Sequence, residues 1–183
     1  MRKKVLMPVA DGTEEVEAIA VVDVLRRARA EVTVAAVDHN LQITASRDSK
    51  IVADKLFADC TGKTYDLIVL PGGMPGAEHL RDCKELINML RSQQQENRLY
   101  AAICASPVTI LQHHSLLQGI RATCHPSMFA QLKIKDESRV VVDKNCVTSQ
   151  GPGTALEFGI KLVELLFDKK TAEQIAQAMV IKV

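Results

Sequence analysis

The sequence predicts an α/β sandwich, with a mostly parallel sheet covered by helices on both faces. Two observations carry this prediction. Short apolar runs such as YDLIVL and LYAAIC lack the alternation of a half-exposed strand, so both faces of these strands should be covered. Segments of helical period separate the runs, as in a chain that alternates strand and helix. A length of 183 residues without repeat or linker predicts one domain over 1–183.

The first half of the chain contains three longer strand patterns, a region of short strands and one long helix pattern. In chain order, the predicted elements are the strand KKVLMPVA, a helix over 14–30 capped by Thr13, the strand EVTVAAV, short strands or a hairpin within 41–60, and the strand YDLIVL. The last of these strands runs into the turn sequence PGGMPGA.

The second half continues the alternation and ends in helices. Its predicted elements are a helix over 84–96, the strand LYAAIC, a short helix over 107–117, an irregular stretch over 120–140, the antiparallel strands RVVVD and CVTS, and helices over 153–167 and 170–179. Because the carboxyl ends of parallel strands meet at one edge, the residues that follow each strand should gather there.

Composition excludes several functional classes. Lys and Arg total 23 and Asp and Glu total 22, and there is no Trp, so specific nucleic-acid binding is not expected. No apolar run approaches the roughly 18 residues of a membrane span, and the basic N-terminus predicts a first strand rather than a signal peptide. Five cysteines without CxxC spacing predict reduced thiols in the cytoplasm, with no metal site and no disulfide framework.

Cys104 stands where a predicted strand stops and a helix begins. Such a sharp turn holds its central side chain at the edge of the sheet, as in a nucleophile elbow. Ser106 suits the N-cap and Pro107 the first position of the helix. The free amides of this helix start predict a thiol pKa well below the usual value of about 8.5. The alternative is that a buried cysteine simply fills space at the end of a strand.

Glu17 falls on the apolar face of the first predicted helix. At 100° per residue it lies within an arc of alanine, valine and leucine side chains, on the side that packs against the sheet. Burial should raise the pKa of this carboxyl, which suits it to act as a general acid or base. The alternative, that acidic residues favour the first turn of a helix, explains Glu14 and Glu15 better than Glu17.

Several sequence blocks occur together in an order that resembles the ThiJ/PfpI superfamily. The blocks are GTEEVEAI, VVDVLRRA, LPGGMPGA, AAICASP, HP and TSQGPGT, and they are most similar to the DJ-one-like branch of the Parkinson's-disease protein. The resemblance covers nearly the whole chain and implies a flavodoxin-like three-layer fold. The site residues it implies are Cys104 as nucleophile, Glu17 as acid and base, the pocket histidine His125, the oxyanion-binding amides of Gly72 and Gly73, and the adjacent Ala105 and Ser106.

The chain departs from the family pattern at four positions. Ala105 stands where the peptidase branch has histidine, which disfavours a peptidase. Ser106 replaces a usual glycine and could add a hydroxyl at the mouth of the pocket. Gln150 replaces an arginine that is common in the branch, which removes a charge. Arg29 replaces a glycine, which should alter how the first helix ends.

The resemblance implies a cofactor-free enzyme acting on small dicarbonyls or glycated side chains. The first hypothesis is a glutathione-independent glyoxalase, and a deglycase, of the lyase or hydrolase class. The alternative is an oxidative-stress sensor or redox-regulated chaperone in which Cys104 is oxidised to sulfinate with little turnover. A cysteine peptidase is a distant third.

The first helix also predicts an interface. Glu15, Val16, Ile19, Val22, Asp23 and Arg26 form a mixed apolar and charged strip beside its sheet-facing arc. Such a strip suits a two-fold contact, and the resemblance implies a homodimer through this helix.

Overall fold

A seven-stranded sheet lies at the centre of the computed structural model, which describes residues 2–182. The strands are β1 (Lys4–Val9), β2 (Glu31–Ala36), β3 (Gln42–Thr44), β4 (Lys50–Val52), β5 (Lys55–Leu56), β6 (Leu67–Leu70), β7 (Leu99–Ile103), β8 (Val140–Asp143) and β9 (Cys146–Ser149). The sheet has the order β5-β2-β1-β6-β7-β9-β8, while β3 and β4 form a separate antiparallel hairpin. Only the β8–β9 pair of the large sheet is antiparallel, so the predicted mostly parallel sheet is confirmed.

The helices cover the sheet in two groups. They are α1 (Glu15–Arg27), α2 (Gly76–Asp82), α3 (Lys84–Gln95), α4 (Ala155–Leu166) and α5 (Lys169–Ala178). The sequence patterns predict four of them, but not α2, because its seven residues follow a glycine-rich turn and resemble a loop. The helix expected over 107–117 is a shorter π-helix, Pro107–Gln112.

Successive side chains of the strands enter two different cores. Val5 and Met7 of β1 pack with α1, α4 and α5 on one face, whereas Leu6 packs with α2 and α3 on the other. β6 and β7 alternate in the same way, and most of their side chains are buried. Burial on both faces explains why these strands are continuously apolar, and it confirms the three-layer sandwich.

The strand order creates a crevice beside β1. The chain passes from β1 to β2 on one side and later returns as β6 on the other side. The central order β2-β1-β6-β7-β9 matches the flavodoxin-like order, in which ligands bind at the carboxyl ends of the strands where the winding reverses. In the part of the chain that the structure describes, no helix is long and apolar enough to cross a membrane.

The start of α1 differs from the prediction. Glu14, not Thr13, is the N-cap, because its carboxylate accepts a hydrogen bond from the backbone N–H of Glu17 at 2.8 Å. The Thr13 hydroxyl instead accepts from the N–H of Ala10 at 3.0 Å and closes the loop after β1. This capping fixes the first turn of α1, and hence the direction in which Glu17 points.

The end of α1 contains a strained arginine. The helix ends at Arg27, earlier than predicted, and Arg29 adopts the left-handed conformation (φ 62°) that usually favours glycine. The N–H of Ala30 then donates to the carbonyl of Leu25 at 3.1 Å, which completes the turn. The helix therefore still ends in a left-handed turn although glycine is absent.

We expect Arg29→Gly to stabilise the protein. A left-handed conformation costs a residue with a side chain about 1–2 kcal/mol, and the added flexibility of the unfolded chain offsets about 0.4–1 kcal/mol of that gain. Urea denaturation should show the free energy of unfolding rise by about 0.5–1 kcal/mol. Arg27→Gly, at the last helical residue, should lower it by up to about 1 kcal/mol, and a loss for both variants would contradict the strain at position 29.

Candidate active site

The candidate site lies where four neighbouring strands end. β1 leads into α1 with Glu17, β6 into Gly72 and Gly73, β7 into Cys104, and β9 into Gly151. The groups are closely packed: a Cβ atom added at Gly72 would lie 2.6 Å from the Cβ of Cys104 and 2.8 Å from Oε2 of Glu17. Only a residue without a side chain fits between the thiol and the carboxyl.

Cys104 occupies the predicted sharp turn after β7. Its backbone is in the left-handed region (φ 65°), which is uncommon for a residue other than glycine. Two hydrogen bonds hold it there, one from its N–H to the carbonyl of Ser149 at 3.0 Å and one to its carbonyl from the N–H of His125 at 2.8 Å. The side chain is partly exposed. The predicted elbow geometry is confirmed, and its strain is a common feature of functional sites.

Glu17 is completely buried beside this turn, as predicted. Its Oε2 accepts a hydrogen bond from the N–H of Gly72 at 2.7 Å, while Oε1 has no hydrogen-bond partner among residues 2–182. Burial raises the pKa of this carboxyl to about 7, against the lowering effects of the Gly72 amide and of the neighbouring Cys104 thiol. A carboxyl with this pKa can accept and release protons near neutral pH.

The Cys104 thiol differs from the prediction. Burial, followed by the negative charge of Glu17 and its hydrogen bonding to the thiol, raises the pKa to about 12. The backbone amides of Ala105 and Gly73 lower the pKa, but by less. The expected low pKa is therefore wrong, because burial and the adjacent charge of Glu17 outweigh the two amides that lower the pKa.

The thiol and the carboxyl therefore titrate as a pair. One proton leaves the pair near neutral pH, and the second is held strongly because two adjacent buried negative charges repel. The resting singly charged form keeps its charge mainly on Glu17 and its proton on Cys104. A nucleophilic sulfur then arises by transfer of the thiol proton to Glu17 during attack.

The backbone amides of the site differ in the side chain that they lie beside. The N–H of Gly72, expected to bind an oxyanion, is occupied by Glu17. The N–H groups of Gly73 and Ala105 lower the pKa of the Cys104 thiol, as amides close to its sulfur do. Gly73 is left-handed (φ 89°), and a Cβ atom there would lie 2.3 Å from the carbonyl oxygen of Gly12, so this position requires glycine. An oxyanion-binding role stays a prediction for Gly73 and Ala105, whereas the N–H of Gly72 already has an acceptor in Glu17.

The remaining predicted residues are placed around this centre. Ser106 neither caps the following helix nor reaches the mouth of the pocket, because its buried hydroxyl donates to the carbonyl of Pro71 at 2.5 Å. His125 is partly exposed, and its Nδ1 lies 2.8 Å from the hydroxyl of Ser127. The Gln150 side chain donates to the carbonyl of Glu137 at 2.9 Å. Catalytic roles for His125 and Ser106 remain predictions.

Gly151 is a site residue that the sequence did not assign. A Cβ atom there would lie 3.6 Å from Cδ2 of His125 and 4.0 Å from the unpaired Oε1 of Glu17, so this glycine separates the two side chains. The signal was the position of GPG directly after a predicted strand. Glycine after a strand is usually only a turn residue, so the sequence pattern could not distinguish the two roles.

Three of the other four cysteines are less accessible than Cys104, and Cys83 is comparably exposed. Cys60, Cys124 and Cys146 are buried and Cys83 is partly buried, and all five cysteines are free thiols. Burial raises the pKa of Cys124 to about 11 and that of Cys146 to about 12. Within residues 2–182, no three potential metal-ligating side chains gather together.

Comparisons with known proteins identify the family and the fold of the chain. The sequence model of the DJ-1/PfpI family matches residues 3–165. The chain is 46% identical to protein DJ-1 homolog B of Arabidopsis thaliana over 180 residues, which is 97% of this chain but 41% of that protein, so it spans less than half of that relative. The glutathione-independent glyoxalase DJR-1.2 of Caenorhabditis elegans is 35% identical over 88% of this chain and 87% of its own. The solved structure of oxidized Toxoplasma gondii DJ-1 superimposes with a TM-score of 0.97 at 45% identity, covering 99% of this chain and all of that one.

Proposed function

The chain belongs to the DJ-1/PfpI family, and from this we propose that it is a cofactor-free glyoxalase that converts methylglyoxal to lactate. The observation that supports the proposal most directly is the buried Glu17 carboxyl beside the elbow thiol of Cys104. The activity named for the Caenorhabditis elegans relative also supports it. Removal of early glyoxal adducts from proteins would use the same chemistry on a larger substrate.

The proposed reaction begins with attack of the Cys104 sulfur on the aldehyde carbon. A carbon–sulfur bond forms, the thiol proton passes to the Glu17 carboxylate, and the carbonyl electron pair moves to oxygen. The amides of Gly73 and Ala105 stabilise this oxyanion. Glu17 then returns the proton to the oxygen, which gives a neutral hemithioacetal and restores the carboxylate.

Glu17 next moves a proton between the two substrate carbons. The carboxylate removes the proton from the former aldehyde carbon and passes it to the ketone oxygen, so an enediol forms and the carboxylate is restored. Glu17 then takes the hydroxyl proton of the former aldehyde carbon and delivers it to the second carbon, which gives a lactoyl thioester on Cys104 and restores the carboxylate. Water then hydrolyses the thioester, which releases lactate and restores the thiol, so the net reaction adds one water to methylglyoxal.

Lactate measurement tests this proposal. Purified protein with excess methylglyoxal should form lactate continuously, over many equivalents per chain, without added glutathione. Cys104→Ser should abolish this activity, because a serine hydroxyl is far harder to deprotonate than a thiol. Consumption of one thiol per chain without lactate would contradict the proposal and favour a sensor.

A second candidate is a redox sensor based on the same cysteine. The partial exposure of Cys104 favours it, as does the existence of an oxidized form of the Toxoplasma gondii relative. Peroxide oxidation to sulfinate would then occur at Cys104, where the amides of Gly73 and Ala105 could bind the product oxygens. Peptide mass mapping after mild peroxide should find two added oxygens first on Cys104, and first modification of Cys83 would contradict this candidate.

We also propose a reducing, cytoplasmic setting for this chemistry. All five cysteines are free thiols, including the partly exposed Cys83 and Cys104. Partly exposed thiols persist where cellular reductants maintain them.

We further propose that α1 mediates a homodimer. Val16 and Ile19 are each 51% exposed, whereas Val22 of the predicted strip is buried within the chain. The charged members of the strip have partners in the same chain: Glu15 binds Ser46, Asp23 binds Arg27 and Arg26 binds Asp54. The apolar pair therefore supplies the exposed surface that a second copy of the chain would cover.

Ile19→Asp should disrupt this dimer. An aspartate at the centre of an apolar contact would be buried without a partner, which is costly. Sedimentation at micromolar concentration should give twice the chain mass of 20.1 kDa for the wild type and the single chain mass for the variant. Ile134→Asp is the matched control, since Ile134 is 43% exposed on another segment and its replacement should leave the dimer intact. A single-chain mass for the wild type would refute the proposed interface.

A further inference from the structure

Ser106 has a buried hydrogen bond that the proposed reaction does not use. Its hydroxyl donates to the carbonyl oxygen of Pro71 at 2.5 Å, and the residue has no exposed surface. This serine precedes Pro107 at the start of a helix, where capping would be its ordinary role, yet it makes no cap bond. The hydroxyl instead connects the Cys104 turn to the loop after β6.

The acceptor of this bond belongs to the peptide unit that contacts Glu17. The carbonyl of Pro71 and the N–H of Gly72 are the two ends of one planar amide. The Gly72 N–H donates to Oε2 of Glu17 at 2.7 Å. The chain of contacts therefore runs from the serine hydroxyl through one peptide to the carboxylate, and every residue in it is buried.

A hydrogen bond donated by the Ser106 hydroxyl to the Pro71 carbonyl oxygen also affects the N–H of Gly72, at the other end of the same amide. It polarises the peptide and makes the N–H a stronger donor, and hydrogen bonds in such chains strengthen by roughly 10–30% each. It also fixes the plane of the peptide, and thus the direction of the N–H. Both effects favour the ionised form of the carboxyl that accepts the bond.

We propose that Ser106 is a positioning residue for Glu17, acting through the Pro71–Gly72 peptide to hold the carboxylate ionised and aimed at Cys104. The consequence for turnover rests on the proposed function, whereas the consequence for ionisation does not. Other titratable groups near Glu17 are the Cys104 thiol from the end of β7, Glu14 from the preceding turn, and the His125 ring beyond Gly151. None of them contacts the Ser106 hydroxyl by a hydrogen bond within residues 2–182.

The pH dependence of Cys104 alkylation tests this role without requiring turnover. In the wild type, the rate of reaction with iodoacetamide should rise to a plateau with a midpoint near the Glu17 pKa of about 7. Ser106→Ala removes the donor and should move this midpoint upward by about 0.1–0.6 pH units, because the carboxylate loses part of a charge-assisted bond. Peptide mass mapping assigns the measured rate to Cys104.

Two further variants separate positioning from a general loss of packing. Tyr100→Phe also removes a buried hydroxyl that donates to a backbone carbonyl, that of Leu116 at 2.9 Å, and should leave the midpoint unchanged. Ser106→Thr keeps the hydroxyl and should restore the wild-type midpoint, and it also tests the proposal if Ser106→Ala folds poorly. A midpoint that is unchanged or lowered in Ser106→Ala, or shifted equally in Tyr100→Phe, would overturn the proposal. If the wild type forms no lactate but the midpoint still shifts, the proposed function fails and the role of Ser106 stands.

Discussion

Replacing Glu17 with glutamine should lower methylglyoxal turnover by roughly 100-fold or more, the usual effect of losing a positioned acid–base group. Glutamine keeps the size of the side chain and an oxygen that can accept from the Gly72 N–H, but it cannot take a proton from Cys104 or from substrate carbon. Lactate formation under saturating methylglyoxal measures the loss. Glu15→Gln is the matched control, since Glu15 lies two residues away and contacts Ser46 and Arg47 outside the site.

The same variant should react faster with an alkylating agent at high pH. In the wild type burial and the charge of Glu17 together hold the thiol pKa near 12, so the thiolate fraction stops rising once the carboxyl has ionised. Without that charge, the thiolate of the variant should continue to increase about tenfold per pH unit. We expect Cys104 to be alkylated at least about tenfold faster in Glu17→Gln than in the wild type at about pH 9. Slower alkylation there would mean that Glu17 promotes ionisation of the thiol instead of opposing it.

Stability provides a third measurement on this variant. The folded-state pKa of Glu17 is about 7 and its ordinary value is 4.5, so the folded state binds the proton more tightly. The resulting stabilisation is present below about pH 4.5 and is lost as pH rises toward 7, by roughly 3 kcal/mol in all. Denaturation of Glu17→Gln should lack this decrease. The same pH dependence in both proteins would contradict the buried carboxyl.

After Glu17→Gln, we expect Gly72→Ala to cause the largest loss of methylglyoxal turnover. The added Cβ would lie 2.6 Å from Cys104 Cβ and 2.8 Å from Oε2 of Glu17, closer than such atoms approach. Relief of the clash must separate thiol from carboxyl, and a displacement of about 1 Å at reacting groups costs roughly 100-fold in rate. Overpacking should also lower the free energy of unfolding by about 1–3 kcal/mol.

Gly153→Ala is the control for this substitution. Gly153 lies in the loop after β9, and a Cβ atom there would meet nothing within 4 Å. The variant should therefore keep wild-type lactate production and stability. Equal losses in both variants would show that glycine flexibility, and not the close contact at Gly72, supports the activity.

Sequence patterns predicted the fold and the positions of Glu17 and Cys104. The fold and these positions follow from where strand and helix periods begin and end. Continuous apolar strands predicted the doubly covered sheet, and the helical phase of α1 predicted that Glu17 faces inward. The elbow at Cys104 followed from a strand pattern that adjoins a helix start. The short α2 was missed, because seven residues after a glycine turn give too little periodic signal.

The electrostatics of the site could not be predicted in the same way. The pKa of Cys104 depends on how close Glu17 and the amides of Gly73 and Ala105 come to the sulfur, and sequence spacing does not give those distances. The choice of the Gly72 amide as a partner of Glu17, and of Pro71 as the acceptor for Ser106, also depends on side-chain orientation. The sequence pattern predicts which strand end each residue follows, while the packing of the folded chain determines the pKa of its side chain.

The contacts that build the site join distant parts of the chain. The Glu17–Gly72 bond spans 55 positions and the Ser106–Pro71 bond spans 35. Contacts of such large sequence separation form after the local ones during folding. Closing a long loop costs chain entropy before the contact that it brings together stabilises the protein. A partly refolded chain can thus recover its helices and still lack the paired thiol and carboxyl. Return of the Cys104 alkylation profile, with its midpoint near the Glu17 pKa of about 7, therefore marks the completion of the sheet, whereas return of helical circular dichroism does not.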